Sequence, residues 1–524
     1  MSGEPPIGLP IGTVVELDAD TVIYPDGSVF GGSPGRLFRL NGRAARGFAE
    51  LQAGTVRTGD GATLGRRFTD AGLLHPRPSV TARPGLAGTV TVVIPVRDRA
   101  AELDRCLTAL GSSNTTVRTV LVVDDASHDP AAVAEVVHRH GAELIRRPVN
   151  GGPGAARNTA LEKAATPFIA FCDSDCEPEP GWIDALIGHF DDPLVVAAAP
   201  RIVAAGDPPA GLADRFARAR PALDLGDRPA RVAPMTRVSY LPTAALVLRR
   251  EALQNVKGTA GFDPDLRYGE DVDLIWRLLE AGGRIRYDPS VRVGHVEPAG
   301  WRALLTRRFA YGTSAAPLED RHPGQVAPLV LVAAPAATVA ALLARRPVLA
   351  GIAFAGGYLE VARTLKRSGL PVKGIAKPLA RGVQETFFGT GRWTSQFAGP
   401  VAIALLAAPF GTPRTRVARR AVILALLAAA PVREWRRAQP TATTVRPPVP
   451  PPKSLNAITP PPQNLNTITP PPKSLNVITW TAAVLADDAA YGAGVWSGSL
   501  KHGHLRAITP RFRRHLLTTP QRLP

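Results

Sequence analysis

The chain contains little cysteine: three residues in 524, at positions 106, 172 and 176. Three thiols are too few for the disulfide framework of a secreted protein, so the sequence predicts a reducing compartment. Cys172 and Cys176 have neither a second cysteine pair nor a nearby histidine, which argues against a zinc site. We therefore expect buried, unpaired thiols.

Signals for secretion and for nucleic-acid binding are also missing. The first residues, MSGEPPIGLPIGTVVELDAD, contain neither a basic n-region nor an apolar h-region, so we expect no cleaved secretion signal. The net charge of +18 favours an anionic partner. No zinc-finger spacing, basic helix or interleaving of aromatic and basic residues accompanies that charge, so we expect no nucleic acid. A nucleotide diphosphate and an anionic membrane surface both fit it.

The pattern of apolar residues divides the chain into four regions. Residues 1–80 combine short alternating strands with helical segments, and a proline-rich linker follows them. In residues 89–325, uniformly apolar strands alternate with helices. That alternation predicts an α/β fold with a mostly parallel sheet covered by helices on both faces. Residues 326–438 are apolar and helical in pattern, and residues 440–524 form a proline-rich tail.

The third region has the composition of a membrane-associated segment. The stretch from Val326 to Ala344 carries no charge and reaches the length that a spanning helix needs, although two prolines interrupt it. Arginine pairs at 345–346, 419–420 and 436–437 lie beside apolar stretches, as on the cytoplasmic side of a membrane. Spanning helices and buried or interfacial helices both fit this pattern. We expect a protein at the cytoplasmic face of the cell membrane.

The tail contains a short repeat that begins at Pro451 and runs PPKSLNAITP, PPQNLNTITP, PPKSLNVITW. A segment so polar and so rich in proline cannot build a core, so the sequence predicts disorder throughout residues 440–524. We assign no function to the tail.

Acidic residues follow three of the predicted strands. Asp98 follows VVIPV, Asp124 and Asp125 end VLVVDD, and Asp173 and Asp175 follow PFIAFC. A single acid after a strand is often only a helix N-cap or a turn former. Parallel strands, however, bring their carboxyl ends to one edge of the sheet, where ligands bind. Carboxylates gathered there predict a site for Mg²⁺ or Mn²⁺, and that cation would bridge a nucleotide diphosphate.

These motifs, in their order and spacing, resemble those of a known enzyme family. VVIPVRDR, VVDDAS, NGGPGAARNTAL, FCDSD and YGEDVDLIWRLLEAGGRIRYDP are similar to the motifs of the inverting nucleotide-sugar glycosyltransferases of family 2, which have the GT-A fold. The resemblance covers about residues 89–315. It implies nucleotide contacts from Pro95, Asp98, Asp125, Arg157, Asn158 and Asp173. At Asp98 this sequence departs from the many members that have asparagine.

The resemblance also implies the remaining parts of the site. Asp173 and Asp175 match the metal-binding D-x-D, and His295 is expected to complete the metal shell, although a lone histidine is often structural.

Asp271 is the implied base that takes the proton of the acceptor hydroxyl, with Glu270 orienting the acceptor. The same acids could instead favour the N-terminus of a helix. Arg307 and Arg308 are expected to meet the diphosphate, or else to lie on a solvated helix face.

The regions on either side of these motifs indicate which class of acceptor molecule to expect. Residues 1–80 resemble the small winged-helix modules that bind leader peptides. With the family 2 core and the apolar C-terminal region, they make the chain similar to the glycosyltransferases of mycofactocin maturation. The resemblance implies a UDP-glucose donor, a β linkage and an acceptor that is a peptide-derived redox cofactor or its growing oligosaccharide. A membrane-associated transferase of cell-envelope polysaccharide, adding rhamnose or galactofuranose, remains open, as does a nucleotide-binding scaffold without catalysis.

Overall fold

The computed structural model describes residues 7–78, 86, 88–111, 116–207, 209–367, 372, 375–438, 475–513 and 521–523. The N-terminal unit contains two packed helices and short strands: β1 (Val14–Leu17), β2 (Val22–Ile23), β3 (Val29–Gly31), β4 (Arg36–Leu40), α1 (Gly42–Gln52), α2 (Gly59–Ala71) and β5 (Leu74–Arg77). At its centre the ring of Phe68 packs against those of Phe38 and Phe48, with centroid distances of 5.2 and 5.8 Å respectively. The unit therefore has a core of its own.

The second unit is built on one large mixed sheet. Its elements are β6 (Val90–Val96), α3 (Ala100–Leu110), β7 (Val117–Asp125), α4 (Pro130–Arg139), β8 (Glu143–Arg147), α5 (Gly152–Lys163), β9 (Phe168–Cys172), β10 (Cys176–Pro178), α6 (Trp182–Ile187), β11 (Val195–Ala205), α7 (Leu212–Ala219), β12 (Ala230–Arg231), β13 (Ala245–Arg249), α8 (Glu270–Glu280), β14 (Arg284–Val296), α9 (Gly300–Thr313) and α10 (Ala315–Arg321). The sheet order is β10-β14-β11-β13-β9-β6-β7-β8, and β12 pairs with β14.

The strands that carry the predicted site pair in parallel. β6 lies between β7 and β9, and β7 also pairs with β8. Alternate residues of β6 enter different cores, since Val92 and Ile94 pack on one face of the sheet and Val93 on the other. Side chains of a strand alternate between faces, so both faces are covered and apolar. The predicted α/β architecture is confirmed, with β13 and β10 as antiparallel additions.

The C-terminal region is mainly helical. It comprises β15 (Val330–Val332), α11 (Ala333–Leu343), α12 (Pro347–Arg367), α13 (Ala376–Phe397), α14 (Gly399–Ala407), α15 (Pro413–Ala438), α16 (Val477–Lys501), β16 (Arg511–Arg513) and β17 (Gln521–Leu523). Residues from Val326 to Ala344 do not form the single spanning helix that their composition allows, because they contain β15 and then the short helix α11. Within the described residues, α12 alone is long and apolar enough to cross a membrane, and 28% of its most apolar window is buried.

The prediction of disorder through residues 440–524 is wrong for residues 477–501, which form α16. Residues 439–474, with most of the repeat, lie outside the described residues. Helix α16 packs along α9, and its Trp480 and Val484 are buried beside Phe216. A Cβ built on Gly494 would overlap the carbonyl oxygen of Phe309, and one on Gly312 would overlap that of Tyr491. Small residues thus let the two helix backbones touch.

Strand β17 returns to the N-terminal unit and pairs in parallel with β4. Leu523 enters the core of that unit, and its carbonyl oxygen accepts a hydrogen bond from the Asn41 backbone N–H at 3.1 Å. Strands β15 and β16 form a second short parallel pair. The tail therefore contributes structure to two separate parts of the fold.

The N-terminal unit is fixed to the sheet unit by one buried and one partly buried ion pair. The Arg66 guanidinium, 1% exposed, donates two hydrogen bonds to the Asp192 carboxylate, both 2.7 Å long. Arg284 makes a similar bidentate pair with Asp70, at 2.7 and 2.9 Å. Bidentate pairs of this kind fix orientation as well as contact. The two units accordingly share one defined arrangement.

Replacing Asp192 with Ala is expected to lower the free energy of unfolding by about 3–5 kcal/mol, because it leaves the Arg66 charge buried and unpaired. Urea unfolding followed by circular dichroism measures the change. The exposed neighbour Asp191 supplies the control, since Asp191→Ala should shift the free energy by less than about 1 kcal/mol. Equal effects of the two substitutions would contradict the assignment.

Candidate active site

One cavity of about 1420 Å³ opens at the carboxyl ends of β6, β7 and β9. Asp175 and Asp271, which lie far apart in the sequence, both line it. Its walls come from the strand ends, the N-termini of α5 and α8, one side of α9, and parts of α13 and α16. A pocket for one ligand typically measures roughly 300–1,000 Å³. This cavity therefore has room for two reactants side by side.

Asp125 lies at the end of β7 and is held by the loop before α5. The Gly151 and Gly152 backbone N–H groups donate to its carboxylate at 3.0 and 2.7 Å, and Arg147 pairs with it. Pro95, at the end of β6, lines the cavity beside Asp125. The structure thus brings two of the predicted nucleotide contacts together.

Two other predicted contacts do not reach the cavity wall. Asp98 is exposed, and its carboxylate accepts a hydrogen bond from the His128 backbone N–H at 2.7 Å. Asn158 clamps Phe262 instead: its amide nitrogen donates to the Phe262 carbonyl at 2.7 Å, and its amide oxygen accepts from the Phe262 N–H at 2.8 Å. Both side chains organise loops, so the structure does not support them as nucleotide ligands.

Asp173, Asp175 and His295 lie at the centre of the cavity wall. The Asp175 carboxylate is 3.7 Å from His295 Nε2 and pairs with Arg99. Burial raises the pKa of Asp175, but the charges on His295, Arg99 and Arg307 outweigh burial and lower that pKa below its usual value. Burial lowers the pKa of His295, yet Glu297 and Asp175 raise it overall. These contacts keep Asp175 ionised.

The donor set suits a hard divalent cation. Asp173 and Asp175 follow one strand, Asp175 faces the His295 imidazole, and oxygen ligands are those that Mg²⁺ and Mn²⁺ prefer. In this arrangement Arg99 engages Asp175, and Arg157 Nη2 donates to Asp173 Oδ1 at 2.5 Å. Within the described residues, no three His, Cys, Asp or Glu side chains are arranged as a ready metal-binding group. A cation would take the place of guanidinium groups.

Asp271 and Glu270 lie on the side of the cavity that the N-terminus of α8 forms. Burial and the neighbouring charge of Glu270 raise the pKa of Asp271 to about 7. Burial also raises the pKa of Glu270, while Arg157 opposes that rise. Arg157 Nη1 donates to Glu270 Oε1 at 3.1 Å, and the same guanidinium contacts Asp173. Arg157 therefore joins the two acidic sides of the cavity.

The two arginines predicted on α9 have different environments. Arg307 lines the cavity, and within the described chain its guanidinium has neither a hydrogen bond nor an ion pair. Arg308 donates to the Asp487 carboxylate of α16 at 2.5 and 2.8 Å. Arg307 is thus available to an anionic ligand, whereas Arg308 serves to fix α16 against α9.

Sequence reasoning missed several residues of the cavity. Arg99 ends the motif VVIPVRDR but has no predicted role, and Tyr240, Tyr311 and Tyr491 follow no local motif. Tyr491 belongs to the segment predicted to be disordered. The glycine spacing in YGAGVWSG is the signal that could have indicated a closely packed helix there.

The glycosyl transferase family 2 model matches residues 91–256, which end before Glu270. The chain is 36% identical over 515 residues to the pre-mycofactocin glycosyltransferase of Mycobacterium tuberculosis strain H37Rv, covering 96% of this chain and 99% of that protein. It is 31% identical to the succinoglycan biosynthesis protein ExoO of Rhizobium meliloti over 38% of this chain and 58% of that one. Among solved structures, the mannosyltransferase PcManGT of Pyrobaculum calidifontis is 20% identical, with a TM-score of 0.34 over 67% of this chain and 88% of that chain.

The full-length relative extends the likeness beyond the family model, through the cavity, the C-terminal helices and the N-terminal unit. The chain therefore belongs to glycosyltransferase family 2, in the group of the pre-mycofactocin glycosyltransferase.

Proposed function

We propose that this enzyme transfers a hexose from a UDP-sugar to the precursor of mycofactocin or to its growing oligosaccharide, with UDP-glucose as donor and a β linkage as product. The observation that carries the proposal is the single cavity shared by Asp175 and Asp271. Identity across the whole length of a pre-mycofactocin glycosyltransferase supports the acceptor. The expected N-terminal peptide-binding module fits such an acceptor.

The division of the cavity supports an inverting transfer. The acceptor hydroxyl oxygen attacks the anomeric carbon, and the bond from that carbon to the diphosphate breaks on the opposite face, so an α donor gives a β product. Asp271 takes the hydroxyl proton, and a pKa near 7 suits a base at neutral pH. Glu270 orients the acceptor. Arg157 fixes Glu270 relative to Asp173 by donating hydrogen bonds to both carboxylates.

The leaving diphosphate is the second anionic reactant. Asp173, Asp175 and His295 would hold Mg²⁺ or Mn²⁺, which neutralises diphosphate charge when bound. Arg307 lines the same cavity, and although its charge acts on Asp175, its guanidinium makes no hydrogen bond or ion pair within the described residues and can donate to the departing diphosphate. Arg308, occupied by Asp487, is not part of this proposal.

Exposed apolar side chains on the C-terminal helices support docking on an anionic membrane surface. Val348 and Ile352 on α12 are 74% and 62% exposed, and Ile403 on α14 is 66% exposed. Arg345 and Arg346 precede α12 directly. Exposed apolar side chains next to paired arginines are what an anionic lipid surface binds.

A donor screen tests the proposed function. Purified enzyme is incubated with a mycofactocin precursor peptide and UDP-glucose, GDP-mannose or dTDP-rhamnose, with and without Mn²⁺, and products are read by mass spectrometry. A hexose mass shift with UDP-glucose and metal is expected. Transfer only to a lipid-linked acceptor would favour the cell-envelope alternative. Sedimentation with phosphatidylglycerol vesicles, compared with phosphatidylcholine vesicles, checks the membrane surface.

A further inference from the structure

We infer that helix α16 completes an acceptor subsite in which tyrosine hydroxyl groups bind a saccharide acceptor. The inference rests on the proposed function and assigns one wall of the cavity to a ligand class. Four tyrosines line the cavity on the Asp271 side: Tyr240, Tyr268, Tyr311 and Tyr491. Tyr491 is the member supplied by α16.

The four tyrosines form one group around the base. The ring centroids of Tyr268 and Tyr311 lie 6.4 Å apart with an interplanar angle of 71°. After burial, the negative charge of Asp271 is the largest contribution raising the pKa of Tyr240, and Tyr491 and Tyr311 add to it. Asp271 also raises the pKa of Tyr311. These phenols are thus close to the carboxylate that would take the acceptor's proton.

The phenol oxygens are available to a ligand. Across the described part of the chain, none of the four hydroxyl groups has a protein hydrogen-bond partner, whereas the phenol of Tyr287, outside the cavity, donates to the Gly226 carbonyl. A phenol both donates and accepts a hydrogen bond, and its ring packs against apolar surface. A sugar ring offers hydroxyl groups at its edge and C–H groups on its face, so it can satisfy both parts of a tyrosine.

The remaining lining also favours a polar acceptor over a lipid chain. Arg302, Arg392 and Gln396 face the same cavity, and hydrogen-bond donors of this kind suit hydroxyl-rich ligands. Arg392 and Gln396 already pair with Asp488, but an apolar chain would leave the phenols and Arg302 without partners, at a cost in binding free energy. A saccharide end is therefore the acceptor class that fits this wall.

Tyr491 is held in place by the packing of α16. Asp487, one turn earlier on the same helix face, pairs with Arg308 and with Arg220. The backbone of Tyr491 itself meets Gly312 of α9, where any side chain would overlap its carbonyl oxygen. Asp488 accepts a hydrogen bond from Ser395 at 2.7 Å, which ties α16 to α13. Tyr491 thus projects from a fixed helix into the cavity.

The test measures acceptor binding apart from chemistry. Enzyme saturated with UDP and Mn²⁺ is titrated with p-nitrophenyl β-glucoside or cellobiose by calorimetry. Tyr491→Phe, which removes a single oxygen, should raise the glucoside Kd about five- to tenfold, the size of one lost hydrogen bond, while the Kd for UDP stays unchanged. Tyr491→Ala should raise the glucoside Kd further. Tyr358→Phe, on α12 and away from the cavity, is the matched control and should change neither Kd.

Three outcomes would overturn the inference: no glucoside or cellobiose binding to the UDP-loaded wild type, an unchanged glucoside Kd in Tyr491→Phe, or an equal loss of UDP affinity in that variant. Failure of the wild type to bind UDP would instead count against the proposed function itself. Because Tyr491→Phe keeps the ring and the helix packing, a folding defect in Tyr491→Ala does not leave the inference without a test.

Discussion

Asp271→Asn is expected to slow sugar transfer by about 10²–10⁴-fold while donor binding is retained, because the amide cannot take the proton of the acceptor hydroxyl. Asparagine has nearly the same shape, so the start of α8 and the Val272 N–H contact should survive. Initial rates with saturating donor measure the loss, and calorimetry with UDP measures binding. Asp273→Asn, which neutralises a buried acid of the same helix that pairs with Arg277 and His322, is the control for loss of a carboxylate from α8.

The same variant gives a pH signature. Burial and Glu270 raise the pKa of Asp271 to about 7, and Arg157, Asp173, Tyr240 and Tyr311 face the same space. The carboxylate that acts as base is therefore populated above pH 7 and lost below it. Transfer by the wild type should rise with pH through neutrality, whereas the residual activity of Asp271→Asn should show no such rise. A wild-type profile that is flat from pH 5.5 to 8.5 would contradict the assignment of the base.

Asp175→Ala is expected to abolish transfer and to remove the metal-dependent part of UDP binding. Asp175 faces His295 and carries the charge that Arg99 and Arg307 compensate, so alanine would remove a proposed metal ligand and leave excess positive charge in this part of the cavity. Calorimetry with UDP, with and without Mn²⁺, measures both effects.

The matched control is Asp104→Ala, an acid on α3 that pairs with Arg139 and His140 on the outer surface. It should leave UDP binding unchanged. Metal-stimulated UDP binding that persists in Asp175→Ala would exclude Asp175 as a ligand. Equal loss of UDP binding in Asp271→Asn and Asp175→Ala would contradict the division between donor and acceptor sides.

The sheet and the gathering of acids could be predicted because they depend on local pattern and on parallel topology. Uniformly apolar runs such as PFIAFC form buried strands, and the residues after them must emerge at one edge. Asp125, Asp173 and Asp175 are accordingly in the cavity, as predicted. Asp271 joins them because α8 begins at the same edge.

Roles set by individual side-chain partners could not be predicted in the same way. Asp98 and Asn158 occupy motif positions, but their short side chains are satisfied by the loops beside them. Arg308 also lines the cavity, but one step of about 100° along α9 from Arg307 brings its guanidinium against Asp487, which occupies it. No sequence pattern indicated where Asp487 would lie.

The error over α16 has a physical origin too. A proline-rich repeat leads directly into VITWTAAVLADDAAYGAGVW. A prediction from composition alone therefore assigns the disorder expected of the repeat to this segment as well. The helix is stabilised by long-range partners, namely the backbone of α9 and the arginines of α7 and α9. Tertiary packing of this kind decides helix formation more than local composition does.

The position of α16 in the chain has a consequence for synthesis. A ribosome that has translated the donor-binding strands and the acids of α8 has still to make the helix that carries Tyr491. A nascent or prematurely terminated polypeptide would therefore lack one wall of the cavity, and Arg220 and Arg308 would be left without the carboxylate of Asp487.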